Sequence, residues 1–179
     1  MSTVKLDLYG LKFFYVFVLK RCWQDIPLVK SPRVKRLPDV LTIEEVCYLV
    51  AQTRVLSYRV FFLVTYCLGL RLGETLALEV GDIDTHKMQV HIRNAKGGKV
   101  RFARLTPFSL SVLRRFWRVH QHPRLLFPNR KKTMAEVRLV TTPLDRGGVQ
   151  KAIREVVTDC GFKKRFLCTA YATAMPHTY

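Results

Sequence analysis

Thiols, imidazoles and cations are the side chains of this sequence best equipped for chemistry, and only the cations are numerous and grouped. The five cysteines, Cys22, Cys47, Cys67, Cys160 and Cys168, contain no C-x-x-C pair. The five histidines, His86, His91, His120, His122 and His177, lack paired ligand spacing, with His120 and His122 the nearest pair. No metal and no cofactor is expected. Lysine and arginine together number 31 against 13 aspartates and glutamates, a formal net charge of +18. Such an excess concentrates polyanions around the molecule and speeds encounter with them, so nucleic acid is the first partner to consider and an anionic membrane surface the second.

A chain of 179 residues, 49% of them hydrophobic, is long and apolar enough for one domain with a real core. Its most apolar runs, residues 13–19 and 60–70, fall short of the ~20 residues that a spanning helix needs, so no membrane segment is expected. Scattered cysteines and the lack of a secretory signal point to a reducing cytoplasm.

The elements that must position the cations follow from periodicity and punctuation. Leu8, Leu11, Phe14, Tyr15, Val18 and Leu19 recur at helical spacing, with Lys5, Asp7 and Lys12 between them, which predicts an amphipathic helix over 4–19. Residues 27–38 hold three prolines with Lys30, Arg33, Lys35 and Arg36, the composition of an extended basic linker and a domain boundary. Thr42 with Glu45 is a capping box for a helix over 43–51. A second helix over 58–68 should end at Gly69, a third should run over 72–78, and Gly81-Asp82-Ile83-Asp84 should turn. Residues 88–92 and 100–105 alternate around Ala95-Lys96-Gly97-Gly98-Lys99, the pattern of a β-hairpin. Helices are expected again over 108–119 and 149–157, the latter closed by Gly161, with Leu125-Leu126-Phe127-Pro128 as a buried apolar turn before a polar loop. The fold class is α+β: mostly helical, with one small antiparallel sheet.

In this order the features resemble the catalytic domain of the tyrosine site-specific recombinases, the phage integrase and Xer-like family. Tyr66-Cys67-Leu68-Gly69-Leu70-Arg71-Leu72-Gly73-Glu74, with Leu76, Leu78 and the Gly81 turn, is similar to the family's first catalytic-arginine box. Lys96-Gly97-Gly98-Lys99-Val100-Arg101 is similar to its catalytic-lysine hairpin, and Leu126-Phe127-Pro128 to a weaker third marker. The resemblance implies that Arg71 clamps a DNA phosphate with its planar fork and that Lys96 is the general acid on the leaving 5′-oxygen, with Lys99 an alternative for that lysine. It implies duplex DNA as partner, attack by a tyrosine to form a 3′-phosphotyrosine, and a cytoplasmic, nucleoid-associated location in a bacterium, phage or mobile element. Family members assemble on DNA as tetramers, which is not expected of this fragment. Residues 1–26 would be a remnant of the core-binding domain, 27–40 the interdomain linker and 41–164 a partial catalytic domain. Taken without that context, Arg71 and Glu74 could instead form an exposed helical ion pair worth a few tenths of a kcal/mol.

The family's box of the form H-x-L-R-H-x-x-A-T-H-L-L and its nucleophilic tyrosine are absent where they should follow, and Tyr171 and Tyr179 lack the box that a nucleophile would need before it. The genetic code accounts for this. When each new codon starts at the third base of the old one, Cys168 to Tyr179 can encode V-H-S-L-R-H-S-Y-A-T-H-L, with the alanine dictated because methionine has a single codon. Residues 165–179 are therefore expected to be an out-of-frame tail, and the chain a truncated, catalytically inactive recombinase. A basic protein that binds DNA or RNA without catalysis is the alternative, although no RNP-like aromatic motif is visible.

Overall fold

The structure is a computed structural model and describes residues 3–23, 41–93, 100–131 and 133–162. The expected basic linker of 27–40, the Lys96 turn with Lys99, and the tail of 165–179 lie outside the described residues. The chain divides into two compact units, Met1–Arg36 and Leu37–Tyr179.

In the first unit α1 (Thr3–Phe13) runs on through a π-helical turn, Phe14–Val18. On the expected apolar face Leu11, Phe14, Val18 and Leu19 are exposed, while Leu8 and Tyr15 are half-buried, Tyr15 edge-on to Trp23 at 5.7 Å.

In the second unit, side chains that satisfy free backbone N–H groups mark where the helices begin. The Thr42 hydroxyl accepts from the Glu45 N–H at 3.2 Å, and the Glu45 carboxylate accepts from the Thr42 N–H at 2.9 Å, opening α2 (Ile43–Gln52). Thr106 caps α5 (Pro107–His120), whose first residue is a proline that has no N–H to lose. Asp145 caps α7 (Arg146–Asp159), so this helix starts earlier than the expected 149; Gly161 ends it at φ 68°. Between them lie α3 (Leu56–Cys67), α4 (Leu72–Leu76) and α6 (Met134–Leu139). The expected polar loop after Pro128 thus contains a short helix, capped by Thr133, that buries only Val137.

A three-stranded antiparallel sheet, β1 (Ile83–Asp84), β2 (Gln89–Ile92) and β3 (Arg101–Arg104), follows a 3₁₀ turn at Val80–Asp82. The expected hairpin is there in register, with His91 opposite Phe102 and Ile92 opposite Arg101. The expected turn at 81–84 is half turn and half strand, because Ile83 pairs with Val90.

The sheet's inner face, Val90, Ile92 and Ala103, joins a core whose centre is α3. Val60, Phe61, Phe62 and Val64 on α3 are all buried, so this helix is covered on several sides rather than along one stripe. Phe61 packs edge-on against Phe127 at 5.2 Å, and Phe127 against Phe116 of α5 at 5.5 Å. Burying Phe61 and Phe127 contributes about 2–3 kcal/mol each.

His120 and His122 are buried where α5 ends, with Gln121 between them in the left-handed region at φ 47°. His122 Nδ1 accepts from the Leu125 N–H at 2.8 Å and that of Arg124 at 3.1 Å, leaving Nε2 to donate to the Val140 carbonyl at 2.7 Å. Burial, reinforced by His122, holds the His120 pKa at about 4, below the ordinary imidazole value of ~6.5. Between these values the unfolded chain binds a proton that the folded chain refuses. Stability is therefore complete above pH ~6.5 and declines as the pH falls towards 4, by about 3 kcal/mol in all. Thermal melts should give a lower Tm at pH 5 than at pH 7, with the difference shrinking in His120→Gln; a difference that the substitution leaves unchanged contradicts this assignment.

Candidate phosphate-binding site

Arg71 is delivered by a helix stop followed at once by a helix start. α3 ends in a Schellman motif: the Leu70 N–H donates to the Thr65 carbonyl at 3.0 Å and the Gly69 N–H to the Tyr66 carbonyl at 3.1 Å. Gly69 makes the reversal at φ 58°, which a side chain would penalise. Leu70 is buried completely, and Arg71 becomes the residue that caps α4. Thr75 closes the joint from the other side, its hydroxyl 3.0 Å from that of Thr65 and 3.2 Å from the Arg71 carbonyl. The backbone at Arg71 is thereby pinned to the core, while its side chain remains 45% exposed.

The Glu74 carboxylate occupies the centre of the site. Its side chain is only 3% exposed. One oxygen, Oε1, accepts from Arg71 Nη1 at 2.7 Å; the other, Oε2, accepts from the Arg71 backbone N–H at 2.9 Å and from Arg101 Nη2 at 2.7 Å. Burial alone pushes the Glu74 carboxyl up, but the backbone N–H of Arg71 and the Arg101 and Arg71 guanidinium groups outweigh it and hold its pKa below the ordinary carboxylate value. The exposed ion pair considered from spacing alone is thus corrected. Arg71 precedes the helix instead of lying on its surface, and its carboxylate partner is buried.

Two guanidinium groups on one carboxylate leave a local excess of positive charge. Arg71 Nε and Nη2 make no hydrogen bond to the described residues, so the open edge of its fork is available to an anion. Other arginines are already engaged. Arg93 Nε donates to Asp82 at 2.7 Å and its Nη1 lies 3.0 Å from Glu79, whose other oxygen accepts from Arg124 Nε at 2.7 Å. This network fastens the sheet to the loop after α5. Arg114, Arg115 and Arg118 are exposed on α5.

Lys96 and Lys99 lie outside the described residues, so Arg71 is the one expected site residue whose surroundings are described. Spacing did not single out Arg101, 27 residues from Glu74, or the burial of Glu74. A signal for the former was present: alternation over 100–105 puts Arg101 on the same face as buried Ala103 and Leu105, where an unpaired charge is costly.

Glu74→Gln removes the charge that both guanidinium groups share. Breaking a buried pair costs about 3–5 kcal/mol, and the partial exposure of both arginines reduces this to about 1–3 kcal/mol here. Urea denaturation should show that loss with an unchanged m-value; equal stability of the two proteins would contradict the geometry described.

The profile of the phage integrase family matches residues 39–175. A putative integrase/recombinase of Sinorhizobium fredii, y4qK, is 32% identical over 130 residues, which cover 71% of this chain and 42% of the relative. The tyrosine recombinase XerC of Chlamydia caviae is 30% identical over 168 residues, 86% of this chain and 52% of the relative. The chain thus spans about half the length of these curated relatives. Among solved structures, the XerH site-specific recombinase bound to palindromic difH substrate in a post-cleavage complex superposes with a TM-score of 0.67 at 19% identity, covering 93% of this chain and 50% of that one. XerA recombinase superposes with a TM-score of 0.60 at 15% identity, covering 94% and 66%. The mostly helical second unit with its three-stranded antiparallel sheet is the fold of a tyrosine recombinase catalytic domain, and the chain belongs to the phage integrase family.

Proposed function

We propose that this chain carries part of the DNA-binding and phosphate-activating surface of a tyrosine recombinase, and that as encoded it does not cleave DNA. The observation that carries the reading is the Arg71 guanidinium, held on one edge by buried Glu74 and, among the described residues, open on the other. A fork held in that way is organised for two nonbridging oxygens of a phosphodiester before DNA arrives, and acts on the charge that builds up in a pentacovalent transition state. Lys96, between β2 and β3 in the sequence, is the general acid in this reading and protonates the leaving 5′-oxygen. Duplex DNA is the partner, in the bacterial cytoplasm with the nucleoid, and the segment 1–26, which carries α1, belongs to a core-binding domain joined through the basic linker of 27–40. No helix among the described residues is long and apolar enough to cross a membrane.

The sequence of residues 41–179 supports the lack of cleavage. It contains no His-x-x-Arg-His box, and each transition-state donor removed costs ~10²–10³ in rate. In this reading the cause is a frame slip at Lys163-Lys164-Arg165, which can be encoded as a run of adenines prone to slippage. The test uses nicked suicide duplexes, randomised across the binding arms, which trap any phosphotyrosyl adduct. The chain as encoded should form none, and the product of a single-base correction in the codons for 163–165 should form one. An adduct on the uncorrected chain, or a corrected gene that fails to spell H-x-L-R-H, would overturn the reading.

A further inference from the structure

Arg101 has no role in anything described so far beyond neutralising Glu74, yet its position is peculiar. It is the first residue of β3, immediately beyond the segment that carries Lys96, and it faces inward. Its Nη2 donates both to Glu74 Oε2 at 2.7 Å and to the Gly69 carbonyl at 3.1 Å. Gly69 is the turn that aims the chain at Arg71, and Glu74 is the group that holds the Arg71 side chain. One nitrogen of Arg101 therefore touches both determinants of where the Arg71 fork lies. Arg101 Nε, in contrast, is buried with no hydrogen-bond acceptor among the described residues. Leaving such a donor unsatisfied is unfavourable, so this placement does not optimise the stability of Arg101 itself.

We infer that Arg101 is a positioning residue, which clamps the start of β3 to the Gly69–Glu74 segment and so fixes the Arg71 fork relative to the sheet. The inference rests on the reading of Arg71 as a phosphate ligand and adds the means by which its fork keeps one geometry. The chemistry favours arginine specifically. Lysine could answer the Glu74 charge, but its single nitrogen on a flexible stem is not oriented by a planar fork and gives up more freedom for each bond formed. Without Arg101, Glu74 keeps only Arg71. The carboxylate would then draw the whole Arg71 fork inward, or take up a proton and release it.

Two readouts separate positioning from bulk stability: titration of the Glu74 carboxyl carbon by NMR, and the response of the Arg71 Nε–Hε resonance to inorganic phosphate. The cleft of about 350 Å³ that Glu74 faces is also lined by Glu79, Asp82, His91, Arg93 and Arg124, and the same spectra follow those carboxyls as internal controls. Arg101→Met should raise the Glu74 titration above its wild-type position while that of Glu79 stays in place, and should weaken the phosphate response at least threefold. Arg101→Lys should restore the Glu74 titration in large part and the phosphate response only partly. If Arg101→Met fails to fold, Arg101→Lys decides the matter, and a phosphate response equal to wild type overturns the inference. It is equally overturned if Arg101→Met leaves both readouts unchanged. Arg71→Ala serves as the reference for the phosphate pocket. If it binds phosphate as wild type does, the pocket reading fails, and the Glu74 titration still judges whether Arg101 holds the carboxylate.

Discussion

An ionised carboxylate sealed from water is the constraint that organises this molecule. Glu74 is tolerated in its place because three donors reach it: the Arg71 backbone N–H and the guanidinium groups of Arg71 and Arg101. Each donor comes from a different structural commitment. The N–H requires that α4 begin at Leu72, the Arg71 side chain requires the reversal at Gly69, and Arg101 requires the register that pairs it with Ile92. Loss of any one leaves a buried charge short of partners, which low local dielectric makes expensive. The site and the fold are thus mutually dependent, and the arginine that faces solvent is held in place by groups that do not.

The rest of the second unit serves this joint. α3 runs through the centre of the core with Phe61 and Val64 buried, so the Gly69 turn at its end starts from a rigid base. The Thr65–Thr75 hydroxyl contact binds α4 back onto α3, and Leu70 and Leu72 are buried on either side of Arg71. On the far side, Asp82 and Glu79 bind Arg93 and Arg124, fixing the sheet and the loop after α5. Acidic residues are scarce in this chain, at 13 against 31 basic ones, and several of those few are spent on internal carboxylate–arginine contacts. The remaining positive charge is left to the surface, where it attracts polyanions at long range.

Much of this was legible from local chemistry. The Thr42–Glu45 box, the glycine that ends α3 and the alternation around Lys96 each encode an element through contacts a few residues apart, and the helices over 43–52, 56–67 and 107–120 follow within about two residues. What was not legible depends on distant partners. β1 is two residues long and exists because β2 is there to pair with it, and α6 is one short turn bearing a single buried valine, too little to leave a periodic trace. Arg71 was visible only through the resemblance of residues 66–74 to the family's arginine box, whereas the burial of Glu74 depends on Arg101, remote in sequence. The amphipathic pattern of α1 implies a covered face, yet within its own unit most of that face is exposed.

The central claim is that Arg71 offers a pre-set guanidinium to a DNA phosphate. The most direct measurement is the salt dependence of duplex binding, followed by fluorescence anisotropy for the wild type and Arg71→Ala. Every phosphate neutralised contributes about 0.9 to the slope of log K against log salt. The account predicts a slope for Arg71→Ala shallower by about that amount, with weaker binding at every salt concentration. Parallel lines of equal slope would contradict it, because Arg71 would then touch no phosphate.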